Sequence, residues 1–286
     1  MKKLCLFCLT LLLTVSLAAC STGTNSIAEN PSEITENAAV TATTSSSADD
    51  LIESAVEAVT STSPISYDTH EESSDTTWNA AEEIAIVLSG GTASADNATV
   101  KVDGSNLTIT AGGTYRLNGN LADGQVIVDA DDGQVVRLIL DNVEISSSTS
   151  SPLYVANAEK VVLILAENSR NVFSDADNYI YSNPEDKEPN AVLFSTANLS
   201  VYGNGELTIN ANFNDGIASK DGLLIAGGII TVSAVDDGIR GKDYVVIKDG
   251  TIEVTATGDG LTADNEEDTG LGYILIENGE LKITSG

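Results

Sequence analysis

The triplet Asp215-Gly216-Ile217 returns as Asp237-Gly238-Ile239 and again as Asp259-Gly260-Leu261, at intervals of 22 residues. Lys220-Asp221, Lys242-Asp243 and Asp264-Asn265 keep the same spacing. Behind each corner the apolar residues return in register: Leu223, Val245 and Ile274; Ile225, Ile247 and Ile276; Ile230, Ile252 and Leu281; Val232, Val254 and Ile283. Gly228, Gly250 and Gly279 recur between them. The final interval stretches to 29 residues, and the extra length coincides with an insertion, Glu266 to Gly272, that reads as a loop. Leu199, Val201, Gly205, Leu207 and Ile209 form an earlier copy, preceded by Leu193 and Phe194.

A period of about 22 residues, holding two or three short apolar runs and no helical pattern, predicts an all-β parallel solenoid. Coils then stack about 4.8 Å apart and hydrogen-bond from one to the next. A leucine-rich repeat would need a Leu/Asn consensus that is absent, and a propeller needs longer periods. A β-sandwich does not require the same residue types at one spacing. Runs such as Leu107-Thr108-Ile109, Val126-Ile127-Val128 and Val161 to Leu165, bounded by Gly, Asn and Asp, extend this texture upstream and place the domain at 81–286. The chain stops directly after an apolar run with no capping coil, so a truncated domain, or an edge protected by other material, is expected.

Residues one period apart stand above one another in a solenoid. Asp215, Asp237 and Asp259 are therefore expected to form a column, with Asn214 and Asp236 beside it, and Asp221, Asp243 and Asn265 to form a second. Two carboxylates about 5 Å apart repel by about 1 kcal/mol in water and about 3 kcal/mol at an effective dielectric of 20. Lys220, Arg240 and Lys242 can offset part of this, and a divalent cation offsets more. Carboxylate, Asn and carbonyl oxygens suit Ca2+; Mg2+ keeps its waters. Turn chemistry alone explains Asp followed by Gly, but it does not explain Asn214 or Asp236 ahead of the Asp.

Lys2 and Lys3 precede an apolar run from Leu4 to Ala19 that closes on Leu17-Ala18-Ala19-Cys20, an export signal at 1–20. The closing motif resembles the bacterial lipoprotein signal, which implies cleavage before Cys20, lipidation of its sulfur, and an extracytoplasmic, surface-exposed protein anchored to the membrane by acyl chains. Cys5 and Cys8 leave with the signal, so no thiol remains for a disulfide or a zinc site. His70 is the only histidine, which argues against a His-based triad. Residues 21–80 hold no Lys or Arg and are rich in Ser, Thr, Ala and acids, as expected of a disordered linker, with Trp78 near its end as a packing residue.

The formal charge is −30, and it becomes −32 without the signal, which carries two basic groups and no acid. Nucleic acid is excluded as a partner by the missing basic footprint, and anionic lipid head groups for the same reason.

Asn214-Asp215-Gly216-Ile217-Ala218-Ser219-Lys220-Asp221, with Asp236-Asp237-Gly238-Ile239-Arg240-Gly241-Lys242-Asp243, resembles the calcium-binding, carbohydrate-binding family of bacterial surface β-helix lipoproteins. Gly113-Thr114-Tyr115-Arg116-Leu117, Arg137-Leu138-Ile139-Leu140-Asp141 and Glu188-Pro189-Asn190-Ala191 share the likeness. The resemblance implies a right-handed parallel β-helix with bound calcium, recognition of cellulose and polygalacturonate, and similarity to pectate lyases.

Three functions follow from these features. The first is a polysaccharide-binding module, for which Tyr202 and, in the insertion between Ser174 and Asn190, Tyr179 and Tyr181 are candidate sugar contacts. The same tyrosines can instead cover the solenoid's flank. The second is a calcium-dependent polysaccharide lyase with Arg240, Lys242 or Lys220 as base. The third is a passive cell-envelope spacer or adhesin. Binding without catalysis is the expectation, with no catalytic residue assigned.

Overall fold

The computed structural model describes residues 67–286, apart from Asp132 and Pro184. The export signal, Cys20 and most of the expected linker lie outside the described residues. Two antiparallel hairpins open the domain, Ile84–Gly90 with Ala93–Ala95 and Val100–Asp103 with Asn106–Ile109. The later strands pair in parallel, coil upon coil, into a β-solenoid of about seven turns with no α-helix among the described residues.

Each coil contributes one short strand to an eight-stranded sheet that runs from Val100–Asp103 to Leu261–Thr262. The rest of the coil belongs to a twelve-stranded sheet. In some coils that part is one long strand, such as Gly222–Ala234 or Tyr244–Ala256; in others it is two, such as Asn198–Gly203 and Glu206–Ala211. The register slips around Ala226, where the long strands turn.

The repeat read from the sequence is the structural one. Ile225 pairs with Ile247 and Ile247 with Ile276, Val232 with Val254 and Val254 with Ile283. Glu266 to Gly272 lies outside the named strands. One inward column runs from Tyr115 through Leu138, Leu163, Val201 and Ile225 to Ile247, all fully buried. Removing one such aliphatic side chain costs about 2–5 kcal/mol, because the stacked coils cannot close the cavity. Tyr115, low in the column, carries a polar tip into the core and satisfies it on the carbonyl of Ala111 (2.8 Å).

Residues 67–79 correct the linker boundary at 80. They cross the outer face of the twelve-stranded sheet as a strap that runs against the coil order. Tyr67 packs on Tyr273, with ring centroids 4.6 Å apart. Further along, the His70 ring meets the Tyr244 hydroxyl (2.6 Å) and Ser200 Oγ (2.7 Å). Asp75 pairs with Lys160 (2.6 Å), and the carbonyls of Ser74 and Asp75 accept from Arg137. Trp78 Nε1 donates to Glu83 (2.7 Å), which also holds Arg116.

Beneath the strap lies a second apolar cluster that includes Val162, Ile164, Tyr202, Leu224, Tyr244 and Val246. Its area would otherwise face water, and covering it favours docking at roughly 25 cal/mol per Å2.

Candidate functional site

The Asp-Gly corners sit where the chain enters the eight-stranded sheet. Gly216 N–H donates to the Asp237 carbonyl (2.9 Å) and Gly238 N–H to that of Asp259 (2.8 Å), so Asp215, Asp237 and Asp259 do stack as a column. The column is buried at Asp215, half-buried at Asp237 and exposed at Asp259. Two of the three carboxylates also cap the next coil: Asp215 Oδ1 accepts from Asp237 N–H (3.3 Å), and Asp237 Oδ1 from Asp259 N–H (2.9 Å). That ladder accounts for Asp215 and Asp237 without any ion, and it consumes one oxygen of each.

Asp215 is 2% exposed, and burial pushes its pKa up to about 7. The Asp237 amide opposes the rise, the Asp237 charge adds to it, and Arg240 and Asp236 contribute in opposite senses. Asn190 and Asn214 donate their amides to its two oxygens (3.3 and 2.9 Å), while Arg240 stands 3.9 Å away and also serves Asp264.

Two observations bear on a cation here. Asn190 Oδ1 is buried with no hydrogen-bond partner, although its amide nitrogen contacts Asp215. A Cβ at Gly258 would lie 2.6 Å from Asp236 Oδ1 and 2.7 Å from Asp237 Oδ1, so these oxygens converge on space left open by glycine. Among the described residues no three Asp, Glu, His or Cys side chains gather into a metal cluster by themselves. A cation at the corner therefore needs Asn and backbone carbonyl oxygens as well, an all-oxygen set that fits Ca2+.

The second column is only partly free. Asn265 donates to Asp243 Oδ1 (2.7 Å) and accepts from the amides of Glu267 and Asp268, which ties down the base of the insertion. The Asp221 carboxyl is pushed up by burial and then by the Asp243 charge. Lys220 does not bridge the columns as the sequence suggests; it pairs with Glu188 (2.7 Å).

Two of the three tyrosines, Tyr179 and Tyr202, are buried and follow the alternative of covering the solenoid's flank. Tyr179 is buried, stacks on Phe213 at 4.4 Å, and donates to Asp175 (2.7 Å) and to the Ala191 carbonyl. Its role is to close the base of its own insertion. Tyr202 is buried under the strap, with its hydroxyl against Glu71 and Asp75. Tyr181 alone of the three stays half-exposed, its hydroxyl on the Pro189 carbonyl (2.8 Å).

The residues missed by sequence reasoning are those of the strap. His70 is held near pKa 4, chiefly by burial and then by Lys160, against the pull of Asp75 and Glu71. Its backbone N–H donates to the Tyr244 hydroxyl, and its two ring nitrogens hydrogen-bond with that hydroxyl and with Ser200 Oγ, so both are engaged. The available signal was the continuous apolar run in strands such as Val161 to Leu165, which marks a sheet covered on both faces.

Residues 103–286 match the family of carbohydrate-binding domain-containing proteins. A carbohydrate-binding domain-containing protein of Acetivibrio thermocellus is 46% identical over 199 residues, covering 69% of this chain and 70% of the relative. A solved structure, a gadolinium derivative of the polysaccharide lyase-like protein from C. thermocellum, superposes with a TM-score of 0.70 at 39% identity. It covers 71% of this chain and 82% of that one.

Proposed function

The chain belongs to the family of carbohydrate-binding domain-containing proteins, and we propose that it is a lipid-anchored surface protein that binds plant-type polysaccharide with calcium. Family membership supports the polysaccharide, cellulose or polygalacturonate being the expected class. The observation that carries the calcium is the buried Asp215 carboxylate beside the orphaned Asn190 Oδ1. Asn190, Asp215, Asp236 and Asp237 would hold the ion, with Asn214 and Asp259 flanking them and Asp221 and Asp243 as a second acidic pair. When bound, Ca2+ supplies positive charge to the acidic column and a bridge to a uronate carboxylate.

The chain's own residues do the rest. The Asp ladder fixes the corner's backbone, Asn214 orients the Asp215 carboxylate, and Arg240 limits repulsion on one side. A solved relative prepared with gadolinium, a hard oxygen-seeking cation, is in keeping with this chemistry. Anchoring through Cys20 rests on the sequence motif.

A calcium-dependent lyase is the second reading, favoured by the polysaccharide lyase-like relative. Against it, Lys220 is held by Glu188 and Arg240 by Asp264, and an ion-paired cation gives up its proton reluctantly. The test is direct. Chelation should lower the melting temperature, added Ca2+ should restore it, and polygalacturonate binding should vanish in chelator while neutral glucan binding weakens less. An unchanged melt after verified metal removal rejects the calcium, and release of unsaturated product from polygalacturonate would establish the lyase instead.

A further inference from the structure

Away from the Asp-Gly corners, the turn in the twelve-stranded sheet leaves two open hollows on the solenoid's side. One, of about 470 Å3, is lined by Asn204, Gly227, Gly228, Asp249 and Gly250, and reaches Gly279 and Glu280. The other, of about 370 Å3, is lined by Trp78, Arg116, Asp141, Glu167 and, again, Asn204. They meet at Asn204 and form one trough along the solenoid axis. From the coil of Arg116 to that of Gly279 it crosses six coil-to-coil steps of about 4.8 Å, about 29 Å in all.

The floor is backbone. Gly203 has φ +101° and Gly227 φ +157°, and a side chain on either would collide with or crowd the carbonyl of the coil below. Glycine at this turn thus lets successive coils stack closely, leaving backbone as the surface of the trough. Ile229, 48% exposed, adds an apolar step in the floor. Along the rim Asp141, Glu167, Asn204, Asp249 and Glu280 supply hydrogen-bonding groups on all but one of the coils from Asp141 onward. Trp78 closes one end with a half-buried ring.

We propose that this trough is a second binding surface, a track for a neutral β-linked polysaccharide lying along the solenoid with about one sugar per coil. The proposal rests on the polysaccharide-binding reading and is independent of the calcium corner. Pyranose units in an extended β-linked chain repeat at close to the coil spacing, and because each ring of a β-1,4 chain is turned over relative to the one before, rim groups two coils apart meet equivalent sugar edges. Carboxylates and amides accept from sugar hydroxyls, while glycine backbone and Ile229 take the flat C–H face. The rim's acids repel uronates, because Arg116, the basic residue of the second hollow, is already neutralised by Glu83 and Asp141.

The test compares wild type with Asp249→Ala/Glu280→Ala and with Ile229→Arg, all exposed positions, and with Lys101→Ala on an opening hairpin as control. Each is checked for an unchanged melting temperature, then assayed by pull-down on cellulose and by affinity electrophoresis in soluble β-glucan and in polygalacturonate with Ca2+. The trough variants should lose glucan affinity at least tenfold, keep calcium-dependent polygalacturonate binding, and differ from Lys101→Ala, which should bind as wild type. Wild-type glucan binding that survives both trough variants overturns the track alone. A wild-type protein that retains no glycan overturns the polysaccharide reading and the track together.

Discussion

Under the strap, Lys160 and Asp75 are both sequestered and face each other at 2.6 Å, and Lys160 also donates to the His70 carbonyl. At the Asp-Gly corner Asp215 is equally sequestered, yet its nearest cation stands 3.9 Å away and is shared with Asp264. The first region closes its charges internally and reads as architecture. The second carries a surplus of oxygen, and that surplus is what supports proposing a cation there. Burial alone does not separate the two; the difference lies in whether each buried charge has its own counter-charge.

The contrast is broken most severely at Asp75. Asp75→Asn strips a buried ammonium of its counter-ion and should cost about 3–5 kcal/mol in urea unfolding. Asp215→Asn should do the reverse in metal-free protein, relieving repulsion with little loss. Next in size is the response to Ca2+. An ion at a hundredfold excess over its dissociation constant stabilises by about 2.7 kcal/mol, and Asp215→Asn should abolish that gain in a thermal melt.

Acid separates the regions with opposite signs. His70 has a folded value of about 4 against an ordinary 6.5, so the folded state binds fewer protons in that window and stability is lost as pH falls from 6.5 toward 4. Asp215 has about 7 against 3.8, so the metal-free folded state binds more protons there and stability falls as pH rises through that window. His70→Asn should flatten the first limb by about 1–2 kcal/mol, allowing for its partial exposure, and Asp215→Asn should reduce the second. Identical pH profiles in both variants would contradict the assignment. The smallest effect is expected at the strap's edge, where Lys248→Ala removes the pair with Glu71 and should cost less than about 1 kcal/mol.

The solenoid was legible because its contacts are periodic: Leu223, Val245 and Ile274 are neighbours in space for the same reason that they recur in sequence. Stacking of Asp215, Asp237 and Asp259 follows from that arithmetic. The strap was not legible. His70 reaches Ser200 and Tyr244 across 130 and 174 residues, with no repeat to announce it, and its polar composition matches that of a linker. Tyr179 was hard to place for a related reason: a single aromatic in an insertion carries no sign of which way it faces, and this one turns inward to Phe213. The trough rests on glycines whose recurrence the sequence does show, at Gly228, Gly250 and Gly279, but whose concavity only the turn of the sheet reveals.

A stack of coils that touch only their neighbours unravels from its ends, one rung at a time. The strap changes that, because a single stretch of chain grips rungs from Arg137 to Tyr273 at once. Losing any of those rungs means releasing the others' fastening. Unfolding of this molecule should therefore be concerted where that of an unstrapped repeat array is gradual, and hydrogen exchange in the coils beneath residues 67–79 should share one common opening rate.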